Sequence, residues 1–173
     1  MSILRRLVLL SLLTASPVWA ASYSDPRLPI RINVPSGWKV RPVLVEGERR
    51  IKVVPPKADE RERAAIEVLI SQRRFAPGES LERTARHLRR PDDDREAASM
   101  IKLNSKAGRL DADYRVGRFV TSDLWILQRV RLVQQRIDKR QLIEARCAAN
   151  ASEYKTYRHA LETICQSLMV VKR

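Results

Sequence analysis

The chain has only two cysteines, two histidines and five glycines in 173 residues, and aromatics make up 5% of it. Each scarcity removes a class of function. Cys147 and Cys165 stand 18 residues apart, and His87 and His159 are the only histidines. None of the short paired spacings of a structural zinc site is present, so no metal is expected. Five scattered glycines supply no phosphate-cradling loop, and no nucleophile motif or metal-binding helix motif accompanies them. No cofactor is expected, and the chain does not read as an enzyme. His87 lies among arginines and His159 lies off the apolar stripe of the last helix, positions that suit surface histidines better than general bases. Single-stranded nucleic acid is gripped by stacking on aromatics. The nearest to the basic residues, Trp125 and Tyr114, suit core positions, so no nucleic-acid partner is expected. No apolar run reaches the roughly 20 residues that span a bilayer.

Positive charge, by contrast, is abundant: 34 Lys and Arg against 20 Asp and Glu give a formal net charge of +14. The first twenty residues have the grammar of a cleaved secretory signal. Arg5 and Arg6 precede an apolar run from Leu7 to Leu13, and Val18-Trp19-Ala20 offers a small-residue end. Residues 1–20 are therefore expected to be a signal peptide and residues 21–173 a single globular domain, a length suited to one core. Loss of Arg5 and Arg6 lowers the charge from +14 to +12, an excess that draws anionic partners whatever the fold. The expected location is periplasmic or secreted.

Leu28 to Val34 alternates apolar and polar residues, and Pro35-Ser36-Gly37 supplies a turn. Trp38 to Val45 and Ile51 to Val54 continue what reads as an antiparallel meander, and Ala64 to Ile70 reads as a more buried strand. Between Glu79 and Arg90 the period changes. Leu81, Ala85 and Leu88 fall at helical spacing, Ser80 can cap the start and Pro91 stops continuation. The other positions of this helix carry Arg83, Arg86, Arg89 and Arg90, which define a basic outer surface. The Pro91–Asp94 run lacks the ligand alternation of a calcium loop and reads as a solvated acidic turn.

Short strands are expected over Ser99–Leu103 and Arg109–Val116, where Asp111 and Asp113 share a face that suits either a cleft or solvent. Trp125–Gln135 and Arg140–Ala148 form the strongest strand pair, joined by Arg136–Lys139. In the second of these Ile143, Ala145 and Cys147 face the core. Tyr154, Tyr157, Leu161, Ile164 and Leu168 recur at helical spacing and predict a helix over Ser152–Leu168, with Asn150 and Glu153 forming a capping-box-like start. That start is reason enough for the Asn150-Ala151-Ser152 sequon. Cys165 lies one turn beyond Leu161, so it meets Cys147 if the helix folds back over the sheet. Two cysteines in an exported chain favour one disulfide, and two separate buried thiols are the alternative. Arg129 and Arg131 on one strand, with Arg140 and Arg146 on its hairpin partner, are expected to put several guanidinium groups on one sheet face, able to grip carboxylate or phosphate.

The order of elements, with Asn33-Val-Pro-Ser-Gly-Trp-Lys-Val40 leading the early strands, a central helix, Gly108 before a strand, a long hairpin and the closing Glu153–Leu168 helix with its Tyr154-x-x-Tyr157, resembles the PsbP-like family of small α/β proteins. The likeness spans most of residues 21–173. It implies an α+β fold in which one antiparallel sheet is sandwiched by helices, an α/β/α sandwich. It also implies a role among members that mostly assist assembly or bind proteins. The chain departs from that pattern in its cysteine pair and its high charge, and no functional residue carries over position by position. The expected function is thus an exported, non-catalytic accessory module that engages an acidic protein through a basic face formed by Arg129, Arg131, Arg140, Arg146, Arg83 and Arg86. The alternative is a binder of anionic envelope lipid or polysaccharide in peripheral contact with the membrane surface; a small hydrolase is a third reading.

Overall fold

A computed structural model describes residues 20–56, 65–119 and 124–171. All of the expected leader except Ala20 lies outside the described residues, as does most of the Pro55–Arg63 loop. In chain order the elements are β1 (Ala21–Ser24), β2 (Ile30–Val34), β3 (Lys39–Val45), β4 (Glu48–Val54), β5 (Ile66–Arg74), α1 (Leu81–Leu88), β6 (Met100–Asn104), β7 (Arg109–Phe119), β8 (Trp125–Arg136), β9 (Gln141–Asn150), α2 (Tyr154–Gln166) and β10 (Met169–Val170). Seven strands pair in the order β3-β4-β5-β9-β8-β7-β6, all antiparallel, and β1-β2-β10 forms a second, small antiparallel sheet. With a helix packed on each side, the fold is the expected α+β sandwich.

Local chemistry accounts for most of these elements. Glu46 and Gly47 both adopt positive φ, 53° and 78°, between the paired Val45 and Glu48. Two left-handed residues make the tight turn whose twist matches the strands it joins. On β2, Ile30, Ile32 and Val34 are buried while Arg31 and Asn33 are exposed, the period-2 pattern of a strand with one wet face. That strand does not join the expected meander. Gly37, at φ 81°, turns the chain across to the large sheet instead, and β2 pairs with β1 and β10, two short segments that carry no periodic signal of their own.

The larger core lies between the two sheets and beneath α2. It joins Ile30 and Ile32 to Ile51, Val68, Ile70, Ile143, Leu161, Ile164 and Leu168, each worth about 2 kcal/mol on full burial. The small side chains Ala145, Cys147 and Ala149 form the β9 row in the same core, which leaves room for the helix. A second core on the opposite side packs Leu81, Ala85 and Leu88 of α1 on Leu110, Ala112 and Leu132.

Both helices end against arginines. Arg95 is buried and donates to the carbonyls of His87, Leu88, Arg90 and Glu96 at 3.0–3.3 Å. Arg109 donates to the carbonyls of Gln166 and Leu168 at 3.1 and 2.7 Å. A cation at a helix C-terminus satisfies orphan carbonyls and opposes the helix dipole. At the other end of α1, Ser80 Oγ accepts from the Arg83 N–H at 3.2 Å, as expected. The capping box expected for α2 does not form. Asn150 is the last residue of β9, facing Gln128, and Glu153 precedes the helix with no side-chain cap bond. The strand claims Asn150 because Gln128 Nε2 donates to its side chain at 3.4 Å.

Cys147 and Cys165 are bonded, with Cα atoms 6.3 Å apart, so α2 is stapled to β9. Closing an 18-residue loop constrains the unfolded chain by about 3 kcal/mol. The Cys147→Ser/Cys165→Ser double variant should therefore melt about 6–12 °C lower by circular dichroism.

Candidate functional site

The six arginines expected to share one basic face do not do so. Arg129 and Arg131 lie opposite Ala149 and Cys147, on the side of the sheet that α2 covers. Arg146 lies opposite Leu132 and Leu69, on the α1 side. The reason is register. A connection of Arg136–Lys139 would set Gln135 opposite Arg140 and so bring Arg129 opposite Arg146. Instead the Asp138 carboxylate accepts from the N–H groups of Arg140 and Gln141 at 2.6 and 2.9 Å, and the turn lengthens until Arg136 pairs with Leu142. An odd shift in register sends every side chain of one strand to the other face. Arg140 itself sits exposed in that turn, and Arg83 and Arg86 are exposed on the outer side of α1.

Three groups of arginines emerge from the partners each one meets. Arg131 is only 7% exposed. Its Nε and Nη2 donate to the two oxygens of Asp113 at 2.7 and 2.5 Å, and Glu162 of α2 stands 3.9 Å away. The Asp113 hydrogen bond, opposed by burial, holds this guanidinium above its ordinary pKa. Arg146 donates to Glu67 at 2.5 Å and to Gln128 at 3.0 Å. Both therefore belong to the scaffold, as do Arg49, paired with Asp25, and Arg73, paired with Glu79 and Glu144. Asp111 and Asp113 likewise face arginines, Arg109 and Arg131, and not each other.

The second group borders a cleft of about 270 Å³ between α2 and the β7–β8 strands. Tyr154, Arg158 and Glu162 recur four residues apart along α2 and form one wall, and Asp113, Arg115 and Arg129 form the other. Arg129 is exposed, 5.1 Å from the centre of the Tyr154 ring. Burial, reinforced by the Asp113 charge, pushes the Tyr154 phenol up. Among the described residues Arg129 has no carboxylate within ion-pair distance. Its cross-strand neighbour is Arg115, whose carboxylate partner, Glu96, lies 3.6 Å away and is itself largely exposed. The pairing of Arg115 with Arg129 was not legible in the sequence, because it depends on the β7–β8 register.

The third group is the outer side of α1. Arg83, Arg86, Arg89 and Arg90 are all exposed, and among the described residues none lies within ion-pair distance of a carboxylate. Arg83 donates to the Gly78 carbonyl at 2.6 Å. His87 stands 3.5 Å from Asp92, and His159 is exposed on α2. Among the described residues no group of three or more His, Cys, Asp or Glu is placed to hold a metal, and no helix is long and apolar enough to cross a membrane.

The staggered layout, with α1 over one end of the sheet and α2 with the small sheet over the other side, is the PsbP-like fold. Solved structures similar to this chain include three that share it. They are the cyanobacterial PsbP (CyanoP) of Synechocystis sp. PCC 6803, with TM-score 0.51 and 12% identity over 92% of this chain and 97% of that one; LpqN of Mycobacterium tuberculosis, involved in cell envelope biogenesis, with TM-score 0.53 and 13% identity over 88% and 90%; and the Ran-binding protein Mog1p of Saccharomyces cerevisiae, with TM-score 0.51 and 14% identity over 83% and 91%. At these identities the likeness is one of fold. No family model matches the chain, and no curated protein matches it.

Proposed function

We propose that the chain acts by binding, as an exported accessory module whose α1 ridge engages an acidic protein. The observation that carries this reading is the contrast in arginine partners. Arg49, Arg73, Arg109, Arg131 and Arg146 are matched to carboxylates, whereas Arg83 and Arg86 on one short helix and Arg89 and Arg90 just past its C-terminus have no such match among the described residues. Like charges at that density repel one another, and an acidic partner relieves the repulsion while setting register through bidentate contacts. Arg140 is exposed in the turn between β8 and β9. Export is supported by the leader-like first twenty residues and by the cystine, which persists in an oxidising compartment. Two of the similar structures are named for envelope biogenesis and for binding Ran, uses of the fold that fit a binding role.

The test is crosslinking in intact cells followed by mass spectrometry. The native chain should give one defined protein crosslink that weakens with salt. Arg86→Glu/Arg89→Glu/Arg90→Glu should weaken the same interaction about a hundredfold with an unchanged circular dichroism spectrum. An undiminished crosslink in the triple variant, or no discrete partner at all, overturns the reading.

A further inference from the structure

On the side of the sheet that α2 covers, β7 and β8 present two rows of charged side chains, Asp113 opposite Arg131 and then Arg115 opposite Arg129. The second row stands four residues back along each strand from the last described pair, Phe119 and Trp125, roughly 13 Å at strand spacing. α2 contributes to both rows. Glu162 stands 3.9 Å from Arg131, and the Tyr154 ring, about two turns earlier, lies 5.1 Å from the Arg129 guanidinium. The third side of the cleft is the chain just before β6. It is held along β7 by hydrogen bonds from the Glu96 N–H to the Arg115 carbonyl at 3.0 Å and from the Ser99 N–H to the Asp113 carbonyl at 2.8 Å. The cleft is thus enclosed by segments that backbone bonds and core packing already fix.

Four arginines meet three carboxylates around it. Arg131 is taken by Asp113, Arg158 is bonded to Glu162 at 2.9 Å, and Arg115 has Glu96 at 3.6 Å. Among the described residues Arg129 is left over, facing Arg115 across the strands, and like charges so placed oppose folding. The Tyr154 phenol, pushed up by burial, keeps its proton at neutral pH and adds no negative charge. Tyr154 instead gives Arg129 a platform. A planar guanidinium resting by an aromatic ring loses less freedom when its donors engage a ligand.

This balance selects the ligand. One surplus positive charge matches one carboxylate, which a guanidinium fork takes bidentately. A phosphate dianion or a run of anionic groups would bring further negative charge against Glu96, Asp113 and Glu162, and the repulsion would cancel the gain. At about 270 Å³ the cleft is also small for a ligand site, the size for one group and not for a length of polymer. We propose that this cleft binds a monocarboxylate, gripped by Arg129 with Arg115 as the second donor, the carboxylate belonging to a free organic acid or to the C-terminus of a peptide. The site lies across the sheet from the α1 ridge and does not depend on what the ridge binds.

Nuclear magnetic resonance of the full chain tests this, with acetate as the probe and the arginine Nε–H signals as the readout. Arg129 and Arg115 should shift saturably, half-complete on the order of 10 mM acetate, while Arg83 and Arg86 on the exposed ridge should not saturate in that range. Acetamide, of similar shape but uncharged, should bind about tenfold more weakly or less well still. Arg129→Gln should weaken acetate binding about tenfold with the thermal midpoint unchanged, and Arg115→Gln should weaken it by a smaller factor. N-acetylalanine compared with N-acetyl-tetra-alanine, both with free carboxyl groups, separates the two sources. Equal or weaker binding of the peptide assigns the site to a free acid, and binding about tenfold tighter assigns it to a chain terminus. An acetate response no larger at Arg129 than at Arg83 would overturn the proposal. So would a response that survives Arg129→Gln, or inorganic phosphate, as the dianion, saturating the cleft at lower concentration than acetate.

Discussion

Arg131→Glu should lower the thermal midpoint by about 10 °C or more, whereas Arg129→Glu, two residues away on the same strand face, should leave it within about 2 °C. Removing one partner of a buried ion pair costs about 3–5 kcal/mol, and each kcal/mol is worth about 2–4 °C in a domain of this size. At position 131 the substitution does more than remove a partner. It sets a third carboxylate beside Asp113 and Glu162, which Arg131 holds together across β7, β8 and α2. Position 129 is exposed and its strand neighbour is another arginine, so a glutamate there replaces repulsion with attraction. Calorimetry of the two single variants checks the contrast. Equal losses would mean that Arg129 is also part of the scaffold.

The two positions look alike in the sequence, where each is an arginine at the same phase of an alternating strand. Alternation reveals which residues of one strand share a face, and this made the buried rows of β2 and β9 legible, as helical spacing did for α1 and α2. It does not reveal which face of one strand matches which face of the next, because that depends on the turn. The Asp138 turn decides it for β8 and β9, and with it the separation of Arg146 from Arg131. The cystine was readable because Cys147 and Cys165 each lay on an apolar side of a strongly periodic element. Trp125 was read as a core residue since aromatics in strands usually are, but it opens β8 where Phe119 of β7 is its strand partner, and it is half exposed. The small sheet escaped notice for a different reason: β10 has two residues and β1 four, too few for any period to show, and only long-range packing defines them.

Asp25→Ala should cost about 3 kcal/mol at neutral pH and flatten the acid side of the stability profile. Asp25 is buried at the corner between β1 and β2. Its carboxylate accepts from the N–H groups of Arg27 and Leu28 at 2.8 Å each, from the Tyr23 hydroxyl at 2.8 Å and from Arg49 Nη2 at 2.9 Å. Arg49 belongs to β4, so this one side chain ties the small sheet to the large one. Burial alone pushes the carboxyl up, but the Arg49 hydrogen bond and the two backbone N–H groups outweigh it and hold the group well below the usual carboxylate range. In the unfolded chain the same carboxyl titrates near 3.9. As the pH falls below about 4 the unfolded state takes up a proton that the folded state refuses, so the stabilisation is complete above that pH and drains away below it. Urea denaturation from pH 7 down to about pH 2.5 should therefore show a steeper loss in the native protein than in Asp25→Ala. A residual slope should remain in the variant, because Glu79 is also held low, chiefly by its hydrogen bond from Arg73. Tyr23 supplies an independent readout. Burial first, and then the hydrogen bond to Asp25, push its phenol up to about 12. The hydrogen-bond part of that shift should vanish in the variant and appear as earlier ionisation in an ultraviolet titration. Parallel acid profiles for the two proteins would mean that Asp25 does not carry the link between the sheets.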